Sequence, residues 1–342
     1  MRSFDYIDPR SVDEAIALLA QNGHDREQRT RPLAGVQPLA GGTDLLTLMK
    51  ADVAAPSRLV NIKRLAELAS GILDTSQGLT LGTLTTLADI ETHAVIQQCY
   101  PLLAQAASVA ATPQLRNMAT LGGNILQRPR CWYFRHRLLH CWLKGGTECP
   151  AHDGENQFHA LFGGGPCYAV HPSDLAPALL ALNAQVRLQG RGGARTLPIA
   201  EFFSLPTENR RHETAIGRDE LLVSVFIPRL PKGTCSIYLK AMDRRVWAFA
   251  LVAVAAAVRL EGRRIADARL VLGGVAPIPW RASAAEQVLL EAEVSDALFA
   301  RTAESALSGV EPLEHNAYKV PLAKNLIQRA LATVTRDEGA AT

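Results

Sequence analysis

At 342 residues, with 48% apolar and 20% charged side chains, the chain has room for two or three domains and the composition of an ordinary globular protein. Its formal net charge of +3 is too small to imply a nucleic-acid partner. The most apolar stretch, 248–258, falls well short of the ~20 residues that a spanning helix needs, so no membrane span is expected.

The N-terminus lacks a basic region followed by an apolar run, so the sequence by itself points to the cytoplasm. Ser11-Val12-Asp13-Glu14 has the form of a capping box, with Ala15, Ile16, Leu18 and Leu19 as the apolar helix face behind it and Gly23 as its stop. A charged loop, 24–31, leads to a short strand at 38–40, a turn at 41–43, a helix at 44–50 and a buried strand at 59–62. From about residue 70 the pattern gives strands at 79–82, 186–188 and 221–227, and helices at 87–91, 101–111 and 174–182. The Pro- and Gly-bearing linker 230–234 marks a domain boundary. Beyond it, 249–260 reads as a long strand and 268–274 as its antiparallel partner. Helices are expected at 283–290, opened by a second capping box at Ser283 and Glu286, and at 296–307. The expected class is α+β (mixed α/β), with a frayed tail at 336–342.

Chemistry enters with two glycine turns. Ala40-Gly41-Gly42-Thr43-Asp44 lies between a strand and a helix, where backbone N–H groups can meet an anion without hindrance from Cβ atoms. A diphosphate fits such a turn, and so does no ligand at all. The chain lacks both the P-loop and the G-x-G-x-x-G fingerprints. A second turn, Thr120-Leu121-Gly122-Gly123-Asn124, suggests that the two loops clamp the ends of one long dinucleotide.

Four segments in order, "LAGGTDLLTLMK", "LRNMATLGGN", "HPSDLAPALLAL" and "DELLVSVFIP", with "LGGVAPIPWRA" near the end, resemble the FAD-binding subunit of the xanthine dehydrogenase and carbon monoxide dehydrogenase group of molybdenum hydroxylases. The resemblance implies an FAD-binding domain of two α/β subdomains, 1–63 and 64–229, followed by a C-terminal α+β domain with an antiparallel sheet at 234–335. It places the FAD pyrophosphate on Leu39, Ala40, Gly41, Gly42, Thr43, Asp44, Leu45 and Leu46, and the flavin and ribitol near Thr120, Gly122, Gly123 and Asn124. Asp174 corresponds to a polar cofactor contact, Leu222 to the apolar residue beside the isoalloxazine ring, and Lys240 to a lysine near the flavin. On the residues alone, Asp174 reads equally as a helix N-terminal carboxylate, Leu222 as core and Lys240 as a solvated charge.

Between the second turn and Asp174 the chain carries an insert, about 125–172, with Cys131, Cys141, Cys149 and Cys167. Four thiols suit zinc or an iron–sulfur cluster. The spacing lacks the C-x₂₋₄-C knuckles of structural zinc sites. Aromatic residues Trp132, Tyr133, Phe134 and Trp142 are expected to shield the site, and Cys99 and Cys235 to be packed thiols. Arg128, Arg130, Arg135, Arg137 and Lys144, with no acid among them, read as a solvated face, as charges that raise a cluster potential, or as a dock for an acidic electron carrier.

The segment "QRPRCWYFRHRLLHCWLKGGTEC" is similar to the FAD subunit of bacterial periplasmic aldehyde oxidoreductases, which implies a 4Fe-4S cluster on the four cysteines. The same resemblance implies a molybdenum-cofactor subunit and a 2Fe-2S subunit as partners, an external electron acceptor, and export with a signal-bearing partner as an alternative to the cytoplasm. The competing readings are the FAD subunit of a 4-hydroxybenzoyl-CoA reductase-like complex, a free-standing FAD oxidase and a zinc-stapled assembly subunit.

Overall fold

The computed structural model describes residues 1–21 and 33–336. The expected stop at Gly23, the charged loop 24–31 and the tail beyond Arg336 lie outside the described residues. Strands β1 (Asp5–Ile7), β2 (Ala34–Leu39) and β3 (Ala55–Asn61) form a parallel sheet in the order β1-β3-β2. Parallel neighbours need crossovers, and α1 (Val12–Leu19) and α2 (Leu45–Lys50) stand between successive strands. Ser11 caps α1 by accepting from the Glu14 N–H at 3.1 Å. Glu14 turns instead to the Arg10 N–H at 2.7 Å, so the reciprocal half of the expected box is displaced by one residue. Val12, Ala15, Ile16 and Leu19 bury one face of α1 against Val36 and Val60.

A second sheet is antiparallel, with β4 (Ile72–Thr75), β5 (Gly78–Gly82), β6 (Gln185–Gly190), β7 (Gly193–Pro198) and β8 (Leu221–Pro228) in the order β4-β5-β8-β6-β7. Leu79, Leu81, Val186, Val225 and Ile227 share a core with helices α3 (Leu87–Thr92), α4 (Pro101–Ser108) and α6 (Leu175–Ala181). Every residue of α6 is buried, which is why its sequence is apolar all round. Between α4 and α6 lies the short helix α5 (Leu121–Ile125), which carries the second glycine turn.

The C-terminal sheet consists of β9 (Thr234–Ala241), β10 (Val252–Glu261), β11 (Arg264–Gly273) and β12 (Trp280–Arg281), all antiparallel. Side chains alternate across a strand, and β10 uses both faces. Val252, Val254, Ala256 and Val258 join the core of α7 (Ser283–Leu289), α8 (Asp296–Ala306) and α9 (Lys319–Val334), whereas Ala253 and Ala255 join the core of α4 and α6. A sheet covered on both faces leaves no place for polar alternation. The linker at 230–234 therefore separates two chain segments that share one apolar core.

Three expectations change. Ser283 does not cap α7: its cap position is Ala282, and the Glu286 carboxylate accepts from the Leu270 N–H at 2.9 Å and from Arg281 Nε at 3.0 Å. The acid ties the helix to the sheet rather than closing a box. Helix α9, with Ala323, Ile327, Ala330, Leu331 and Val334 buried, was not expected. Cys99 and Cys235 are exposed rather than packed. No helix among the described residues is long and apolar enough to cross a membrane.

Candidate cofactor site

A cavity of about 510 Å³ opens between the N-terminal sheet, α5 and the start of β8, within the ~300–1,000 Å³ typical of cofactor pockets. The first glycine turn forms one wall: Leu39, Ala40, Gly41, Gly42, Thr43, Asp44 and Leu45 all line it. Leu46 does not, but packs under the turn, 3.0 Å from where a Cβ on Gly42 would stand. Gly42 has a φ of +74°. Gly41 lies so close to the chain before the second turn that a Cβ there would sit 1.7 Å from the Met118 carbonyl oxygen. The turn makes little use of its own donors. Among the described residues, the N–H groups of Gly41, Gly42, Thr43, Asp44 and Leu45 find no acceptor. Successive unspent N–H groups in a turn make a cradle for an anion.

The second turn faces the same cavity with Thr120, Gly122 and Gly123. The N–H groups from Leu121 to Asn124 are all spent. The N–H of Gly122 donates to the Thr83 carbonyl at 2.9 Å, that of Gly123 to Thr120 Oγ1 at 3.1 Å, and that of Asn124 to the Thr120 carbonyl at 2.8 Å. A Cβ on Gly122 would stand 1.9 Å from Thr83 Oγ1. From Leu121 to Asn124 the loop thus offers a bare, close surface with no backbone N–H left for a ligand. Leu222, 3% exposed in β8, completes the apolar part of the wall.

Besides Leu46, three expected contacts are not on that wall. Asn124 Oδ1 accepts from Ser173 Oγ at 2.5 Å, joining the second turn to the start of α6. Asp174 lies 2.8 Å from both Lys240 Nζ and the Tyr238 hydroxyl, and Lys240 also donates to the Val109 carbonyl at 3.1 Å. Burial raises the Asp174 pKa, and Lys240 and Tyr238 pull it back down. Lys240 is a fully buried partner rather than a solvated charge, and the pair ties α6 to β9.

Arg128, expected only within the basic run of the insert, also lines the cavity, as do Arg211, His212 and Arg218, which the sequence left without a role. A usable signal existed in the charged run from Arg210 to Glu220, directly ahead of the strand that carries Leu222. Arg211 stacks over Trp142 at 4.5 Å and donates to the Trp142 and Gly146 carbonyls, so it braces the insert from the cavity side.

Much of the insert's basic run is engaged within the fold. Asp44 accepts from the Arg128 N–H at 2.9 Å and from Arg135 at 2.7 Å, and pairs with Arg130 at 2.9 Å. Arg128 Nε lies 3.0 Å from Glu213. The insert is thereby fastened to the first glycine turn. Cys131, Cys141, Cys149 and Cys167 share one apolar cluster with Phe134, Trp142, Leu143 and Leu39. Cys167 hydrogen-bonds Cys149, lowering the Cys149 thiol to about 6 and raising its own. Burial pushes the Cys131 thiol up to about 12, and the charges of Cys149 and Cys141 add to the rise. Such thiols resist ionisation side by side in an apolar shell, and a cationic centre would offset that cost by neutralising their thiolates. Among the described residues, no group of three or more His, Cys, Asp or Glu is drawn together around the position of a single metal ion. His159 lies against Cys131, with its pKa lowered to about 4 by burial first and then by Lys319.

The cradle of unspent donors, the surrounding arginines and the apolar wall at Leu222 fit a diphosphate-bridged flavin nucleotide. Two domain families match the chain: the FAD binding domain in molybdopterin dehydrogenase over residues 2–230, and the CO dehydrogenase flavoprotein C-terminal domain over 237–334. The aldehyde oxidoreductase FAD-binding subunit PaoB of Escherichia coli K12 is 36% identical over 97% of this chain and 98% of its own. The carbon monoxide dehydrogenase medium chain of Hydrogenophaga pseudoflava is 30% identical over 96% of each. A solved structure of carbon monoxide dehydrogenase from the same organism, lacking the Mo-pyranopterin moiety, superposes with a TM-score of 0.74 at 29% identity and 97% coverage of both chains. The chain belongs to the FAD-binding subunits of the carbon monoxide and xanthine dehydrogenase-type molybdenum hydroxylases.

Proposed function

We propose that this chain is the FAD- and 4Fe-4S-containing electron-transfer subunit of a molybdenum hydroxylase that acts on aldehydes. A molybdenum subunit oxidises the substrate, a 2Fe-2S subunit delivers the electrons, and this subunit passes them to an external acceptor. The observation that carries the reading is Asp44. It stands in the cofactor turn and holds both Arg130 and Arg135, which flank Cys131 in the cysteine insert. The aldehyde class is supported by the Escherichia coli relative, alike over nearly the whole length.

The FAD supplies storage of an electron pair and the cluster supplies single-electron exchange. The protein's part is to bind and orient. The N–H groups from Gly41 to Leu45 and the Thr43 hydroxyl hold the pyrophosphate. Thr120, Gly122 and Gly123 let the flavin half approach the backbone closely, and Leu222 excludes water from its ring. Cys131, Cys141, Cys149 and Cys167 hold the cluster within the shell of Phe134, Trp142 and Leu143. Arg128 and Arg211 favour the anionic cofactor by charge.

The test is anaerobic purification followed by an absorption spectrum with iron, zinc and acid-labile sulfide assays on one sample. The expected result is flavin with about four iron and about four sulfide per chain. Zinc without sulfide overturns the cluster, and folded chain without flavin overturns the whole assignment.

A further inference from the structure

His159 lies inside the cysteine region but outside its four thiols. Its Nε2 is 3.2 Å from Cys131 Sγ. Its Nδ1 is buried with no hydrogen-bond partner among the described residues. Buried N–H groups without acceptors are rare, and a neutral imidazole carries one ring proton. The proton therefore sits on Nε2, pointing at the sulfur.

The ring is held in that pose from two sides. Trp132 packs edge-on at 5.5 Å and Tyr133 lies at 6.1 Å. From the C-terminal domain, Lys319 Nζ donates to the His159 carbonyl at 3.0 Å and Asn316 Nδ2 does so at 3.3 Å. The His159 N–H donates to the Asn156 carbonyl at 2.9 Å, and Asn156 Oδ1 accepts from the His315 N–H at 2.9 Å. The segment leading into α9 thus fixes the imidazole beside one thiol of the insert. A histidine serving only to fill space has no need of a sulfur at hydrogen-bond distance.

We propose that His159 is a positioning residue for the cluster: its Nε2–H donates to Cys131 Sγ and raises the cluster's reduction potential. The inference rests on the 4Fe-4S reading above. Reduction adds negative charge that the ligand sulfurs share, so a donor on one sulfur stabilises the reduced form more than the oxidised one. The effect is to make the cluster a readier resting place for an electron beside the flavin.

The experiment compares wild-type chain with His159→Leu, which removes the donor, and His159→Gln, which retains an N–H. Iron and sulfide content and an EPR-monitored redox titration of the cluster are read for each. The expected result is full iron in all three. The Leu variant should show a roughly tenfold shift toward oxidised cluster at a given poise, about 59 mV for a one-electron couple. The Gln variant should lie nearer the wild type. Equal potentials in wild type and Leu variant overturn the inference, as do equal shifts in Leu and Gln. Loss of iron in the Leu variant overturns it too, since His159 would then be needed to retain the cluster rather than tune it. Wild-type chain without iron and sulfide fails the 4Fe-4S reading instead, a separate outcome.

Discussion

The two glycine turns look alike in sequence and behave oppositely in the structure. Gly41-Gly42 leaves a run of N–H groups without acceptors, whereas the backbone N–H of Gly122, of Gly123 and of Asn124 is satisfied inside the protein. A turn with unspent donors is a binding surface; a turn with spent donors is a scaffold that presents a close backbone. The two meet where Gly41 lies against the Met118 carbonyl, so the scaffold also sets the position of the binder. Glycine is needed for different reasons in each: at Gly42 for its positive φ, at Gly122 for the approach of Thr83.

That division predicts which substitutions cost stability and which cost flavin. The largest effect should come from the tie behind the second turn. Lys240→Met leaves Asp174 buried without its cation and should destabilise the fold by about 3–5 kcal/mol, read as a lower urea midpoint. The chain that remains folded should keep its flavin. Loss of flavin at unchanged stability would instead make Lys240 a cofactor contact.

Acidification probes the same scaffold. Burial lowers the pKa of His171 to about 4 from 6.5, against a smaller opposing contribution from the Ile125 backbone at the end of α5. Its folded pKa lies below the unfolded one, so the unfolded chain takes up the extra proton first. Stability is then full above about pH 6.5 and falls toward pH 4, by about 3 kcal/mol at most. Thermal melts at pH 7 and pH 5 should show the drop, and His171→Gln should flatten it. The slope should not vanish, because His159 is shifted the same way.

Gly122→Ala should cost about 1–3 kcal/mol through the clash with Thr83, with flavin lost only in proportion to unfolded chain. The finest discrimination comes from paired threonines. Thr120→Val removes the cap on Gly123 and should lower stability by about 1 kcal/mol. Thr43→Val should leave stability within about 0.5 kcal/mol while weakening flavin binding roughly tenfold, the loss of one hydrogen bond to a charged group. If both valine variants moved stability and flavin together, the distinction between binder and scaffold would collapse.

The local signals were legible where a residue type has one physical use. Gly41-Gly42 marks a turn, Ser11 a helix cap, and the apolar run 249–260 a long strand, observed as Val252–Glu261. They failed where partners come from far along the chain. Ser283 and Glu286 have capping-box spacing, but the Leu270 N–H and Arg281 compete for the carboxylate and win. Asp174 and Lys240 are 66 residues apart, and nothing near either reveals that they neutralise each other in the core. The run from Arg128 to Lys144 left a solvated face among its readings because Asp44, the partner of Arg130 and Arg135, lies more than 80 residues earlier in the chain.

The sequence by itself determined the family and the clustering of four cysteines along the chain, because motif order and residue type are properties of the chain. Only the tertiary structure decided which donors remain unspent, which charges are paired and which histidine faces a thiol. Those depend on distances of a few ångströms between segments that no local pattern encodes, and a hydrogen bond is made or lost on that scale.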